Sequence, residues 1–63
     1  MCRSIKTLRT EPDHSDDDVK AAARQYVRKL SGYREPAKRN ADVFERAVSE
    51  IAAATSRLLT DLA

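Results

Sequence analysis

Seven residues able to handle an anion fall between positions 24 and 39 of this 63-residue chain: Arg24, Arg28, Lys29, Tyr33, Arg34, Lys38 and Arg39. Guanidinium and ammonium groups collect phosphate oxygens, and a tyrosine among them offers a face on which an unpaired base can stack. No recognition-helix or zinc-finger pattern accompanies them, and Gly32, the only glycine, cannot make a glycine-rich phosphate loop. Binding of nucleic acid or a phosphate ligand here would therefore have low specificity. A structural account competes with it. Cations in the last turn of a helix complement its dipole, which explains Arg28 and Lys29 without any ligand.

Cys2 and His14 are the other residues with chemistry within reach, one of each type in the chain. Loss of Met1 would leave the Cys2 thiol beside a free amine, a nucleophile or bidentate ligand, with Arg3 favouring the thiolate. Together with His14, and with Asp13 or Asp16 completing the set, Cys2 would supply half of a tetrahedral zinc site. The pair has no characteristic metal-ligand spacing, however. The simpler reading makes Cys2 a small apolar plug and His14 a polar residue ahead of a helix cap. No nucleophile, base and orienting group can be assembled around one histidine, and Glu45 and Glu50 fall on different lines of a helix. The expectation is a non-enzymatic chain with no catalytic residues, no metal and no cofactor.

The elements that would position these groups are helical. Ser15 with Asp18 spells a capping box, and Asp16, Asp17 and Asp18 place negative charge at the positive end of the helix dipole. Val19, Ala22, Ala23, Tyr26, Val27 and Leu30 then recur on one face, with Lys20, Arg24 and Arg28 on the other, until Gly32 offers a left-handed stop. This predicts a first helix over 16–31. A second helix is predicted over 37–61, starting either behind Pro36 or one turn later with Asn40 as cap. Phe44, Ala47, Val48, Ile51, Ala52, Thr55, Leu58, Leu59 and Leu62 make its apolar stripe. Thr55 sits within that stripe, with its hydroxyl expected on the Ile51 carbonyl. Ser49, Ala53, Ser56 and Thr60 form a line of small residues behind it. Residues 1–14 read as an irregular arm, broken at Pro12.

The two helices differ in length, about 24 Å against about 35 Å at 1.5 Å per residue. In an antiparallel hairpin the shorter helix covers the longer only to about Ala54. Leu58, Leu59 and Leu62 then need other cover, from Ile5 and Leu8 of the arm and from a second copy. Size argues the same way. A chain this short buries only about 60% of its unfolded surface, and much of the 41% hydrophobic content is alanine.

The net charge of +2 is segregated: +3 over residues 1–10, −5 over 11–18, +6 over 19–39 and −2 over 40–63. Such blocks suit charge-complementary contacts, although solvent-facing side chains are the plainer account. One cysteine excludes an internal disulfide. No apolar run is long enough for a membrane span or a secretory leader, so a cytoplasmic protein is expected.

The stretches 1–9 (MCRSIKTLR), 21–32 (AAARQYVRKLSG), 44–48 (FERAV) and 52–55 (AAAT) resemble a family of short bacterial proteins catalogued as domain of unknown function 2277. Members of that family often read Pro then Ser or Thr ahead of the second helix, where this chain has Ala37 after Pro36. The resemblance implies a bacterial origin and carries no activity, substrate or cofactor. The sequence thus predicts an all-α fold: residues 15–63 as an antiparallel two-helix hairpin behind the 1–14 arm, dimerising into a four-helix bundle. The leading function is a small binding module that engages a protein partner and itself. Nucleic-acid or phosphate-ligand binding at the basic tip is the alternative, and a thiol or metal role for Cys2 with His14 a third.

Overall fold

The computed structural model of the chain describes residues 7–11 and 13–62. Cys2, Arg3, Ile5 and Pro12, which figure in the sequence reading, lie outside the described residues. Two helices pack against each other: α1, Asp16–Ser31, and α2, Ala41–Asp61. Among the described residues there is no strand. The fold is an all-α hairpin.

Local chemistry sets the ends of α1. The Ser15 hydroxyl accepts the Asp18 amide at 3.3 Å, and the Ser15 amide donates back to the Asp18 carboxylate at 2.9 Å, so the capping box closes in both directions. At the other end Gly32 adopts φ +79°, and its amide reaches the Arg28 carbonyl at 2.9 Å. That left-handed conformation is one a side chain would strain.

The second helix begins at Ala41, the later of the two predicted starts, behind a single 3₁₀ turn over Lys38–Asn40. Asn40 takes the cap position with right-handed helical torsions, and its side chain makes no capping bond. The turn is closed instead by the Asn40 amide donating to the Ala37 carbonyl at 2.8 Å. With no hydroxyl or carboxylate placed to cap a helix at Ala37, the tighter turn takes up the residues behind Pro36.

The core is one layer thick. Val19, Ala23 and Val27 of α1 meet Phe44, Val48 and Ala52 of α2, and Leu8 closes the cluster from the arm. Leu8 opens a 3₁₀ turn, Leu8–Thr10, and its buried side chain packs against the hairpin, while Leu58 and Leu62, for which cover was expected, stay exposed. Thr10 fixes that turn by sending both its amide and its hydroxyl to the Thr7 carbonyl, at 3.2 and 3.1 Å. Leu59 packs against the core, and the Thr55 hydroxyl donates to the Ile51 carbonyl at 2.7 Å.

The predicted apolar face of α1 is wider than the buried one. Tyr26 is 45% exposed and Leu30 72%. Val27 and Phe44 are the last buried residues toward the tip, and α2 begins only at Ala41, so Leu30 lies beyond the packed length of the hairpin.

Candidate interaction surfaces: a basic tip and an apolar groove

Two of the seven predicted anion-binding residues are engaged within the fold. Arg24 and Glu45, 21 positions apart, form a two-pronged ion pair across the hairpin at 2.6 and 2.8 Å. This planar fork matches a carboxylate, and it forms where the register of α1 against α2 sets the two side chains opposite each other. The Glu45 carboxyl is held below the usual range, first by its hydrogen bond to Arg24; the same bond raises the Arg24 pKa further. Arg28 is turned toward the tip: its Nε donates to the Arg34 carbonyl at 3.1 Å, and a terminal nitrogen lies 3.7 Å from Glu35. The Ser31 hydroxyl donates to the Val27 carbonyl at 2.7 Å and accepts the Tyr33 amide at 3.2 Å, tying the tip to the last turn of α1.

A pH dependence follows from the lowered Glu45 pKa. The stability this pair contributes is complete above the ordinary glutamate range and is lost as the pH falls through the depressed folded value. Glu45→Gln should remove that dependence. Urea midpoints of the two proteins should differ at neutral pH and converge in acid; a gap that persists in acid would show that the carboxylate charge is not what the pair uses.

Lys29, Arg34, Lys38 and Arg39 are exposed and make no ion pair among the described residues. Lys29 and Arg34, with Arg28, Gln25 and Gly32, line a shallow cleft of about 530 Å³. Lys38 and Arg39 stand in the 3₁₀ turn, and Tyr33 is half exposed. The tip therefore retains four unengaged cations and one aromatic ring from the predicted cluster.

His14 is drawn into the arm. Its Nδ1 lies 2.9 Å from the Glu11 carbonyl, which can only accept, so Nδ1 carries the proton. Among the described residues no three His, Cys, Asp or Glu side chains converge as a metal site. No helix is long and apolar enough to cross a membrane.

The second surface is an apolar groove of about 390 Å³, running from Tyr26 past Leu8 and Ala22 to Ile51, Thr55, Leu58, Leu59 and Leu62. Leu58 is 56% and Leu62 46% exposed. Of the three leucines surplus to the hairpin by helix length, Leu59 packs against the core and Leu58 and Leu62 stay open. What sequence reasoning missed was the Arg24–Glu45 pair. The one signal for it is positional: both residues lie equally far from a turn centred between Arg34 and Glu35.

The described residues thus form a two-helix hairpin with a cationic tip and an open apolar flank. The chain belongs to the family described as Uncharacterized conserved protein (DUF2277), which matches over residues 1–63. No curated protein and no solved structure matches it.

Proposed function

We propose that this chain is a small non-enzymatic binding module that buries its apolar groove against another helix, engaging a protein partner and itself. The observation that carries the reading is the groove, where Leu58 and Leu62 stay half exposed after the arm has docked. Such a patch on a small monomer marks an interaction site. Chemical-shift mapping by NMR tests it, with partner-containing extract treated with nuclease added to labelled protein. Signals of Ile51, Leu58 and Leu62 should move while those of the tip stay. A groove whose signals change neither with the extract nor on concentrating the protein alone would sink the proposal.

A second reading, binding of phosphate-bearing ligands such as nucleic acid, draws support from the four cations left unengaged around Tyr33. It predicts affinity for single-stranded nucleic acid that falls steeply with salt and disappears when Arg34 and Arg39 are replaced by alanine together. Affinity unchanged from low to high salt would exclude it.

A further inference from the structure

We infer that a second copy of this chain covers the open flank of α2, its α2 laid antiparallel on this α2 about a two-fold axis near Ala52 and Ala53 and seated on Ile51 and Leu58 at the edge of the groove. This rests on the binding-module reading and names the partner, the orientation and the register.

Beside the face of α2 that packs on α1, a second apolar line is present: Ala47, Ile51, Ala54 and Leu58. Their spacings of four, three and four are those of a coiled-coil seam. Ala54 and Leu58 are exposed, and Ala47 and Ile51 are only partly covered by the core. Glu50 and Arg57 border the outer edge of this line, seven residues apart and so on one side of it. Both are exposed and neither makes an ion pair among the described residues.

In an antiparallel two-fold pair, Ala47 meets the partner's Leu58 and Ile51 meets the partner's Ala54. The same axis brings Glu50 beside the partner's Arg57 and Arg57 beside the partner's Glu50, so two ion pairs form by symmetry. A parallel pair would instead bring Glu50 and Arg57 beside the partner's Thr55 and the partner's Leu62, so that neither ion pair forms. It would also set the two +6 blocks of residues 19–39 side by side. Like charges in apposition select against that arrangement. The antiparallel one sends the basic tips to opposite ends and leaves them free.

Light scattering over a dilution series, with charge reversals, tests the register. The wild type should dimerise. Glu50→Arg and Arg57→Glu should each weaken association about tenfold, since each sets like charges opposite one another twice. Mixing the two variants should restore it, because the mixed pair recovers both opposite-charge contacts. Leu58→Asp should give a monomer that keeps its helicity, as Leu58 lies outside the core. A wild type monomeric at high micromolar concentration overturns the inference while leaving the binding-module reading to the NMR mapping. A dimer indifferent to both reversals, or variants that fail to rescue each other, overturns the antiparallel register.

Discussion

Phe44→Ala should abolish cooperative unfolding above room temperature. Phe44 is the largest residue of the core, 6% exposed, in a cluster whose other members are Leu, Val and Ala. Truncating a buried phenylalanine costs about 3–5 kcal/mol. A chain of this length has roughly 3–9 kcal/mol of total stability at ordinary per-residue values. No second apolar layer lies behind the cluster to close over the vacancy. Thermal melts followed by far-ultraviolet circular dichroism should show a broad, shallow loss of helix in place of a transition. Val43→Ala is the matched control: one residue earlier on the same helix and 62% exposed, it should change stability by no more than about 0.5 kcal/mol. If the two variants melt alike, Phe44 is not what α1 packs against.

That control also marks where sequence reasoning succeeds and where it stops. The ends of α1 were legible because Ser15, Asp18 and Gly32 each act within one turn of themselves, so neighbours in sequence are the partners in space. The start of α2 was legible only as two alternatives. Pro36 and Asn40 are both compatible with a helix start, and the choice depends on a 3₁₀ turn whose hydrogen bond, from the Asn40 amide to the Ala37 carbonyl, has no side-chain signature. Periodicity placed Tyr26 and Leu30 on the buried side of α1 because it reports direction alone. Whether anything stands opposite is a tertiary matter: Tyr26 borders the open groove, and Leu30 lies beyond Val27, the last buried residue of α1. The basic tip was legible as composition. The withdrawal of Arg24 into a pair with Glu45, and of Arg28 onto the Arg34 carbonyl, follows from the register of the hairpin, which no local pattern encodes. Leu58, Leu59 and Leu62 showed that cover was needed, and the length mismatch between the helices says why.

Leu8→Ala should lower stability by about 2 kcal/mol, less than Phe44→Ala although both residues are buried. The difference is topological. Phe44 lies on a helix that cannot retreat, so its removal leaves a cavity. Leu8 opens a three-residue turn on the arm, and among the described residues it is the one arm residue in the core cluster. Without its side chain the arm can leave the hairpin, which caps the loss near the value of burying one leucine, about 1.5–3 kcal/mol. For a domain of this size that corresponds to a fall in Tm of roughly 10 °C. Hydrogen exchange should separate undocking from general loosening. The amides of Thr10 and Glu11, which bond to the Thr7 and Leu8 carbonyls at 3.2 and 3.0 Å, should lose protection, while those of Val27 and Val48 keep theirs under conditions where the hairpin stays folded. Equal loss at all four positions would mean that the arm and the hairpin fold as one unit. Protection unchanged at Thr10 and Glu11 would mean that the turn stands without its leucine. Selective loss at Thr10 and Glu11 carries a consequence for the groove, since Leu8 forms part of its wall with Ala22 and Leu59. Undocking the arm would widen the apolar surface just where α2 of a second chain is expected to lie, so Leu8→Ala should destabilise the monomer more than it weakens self-association.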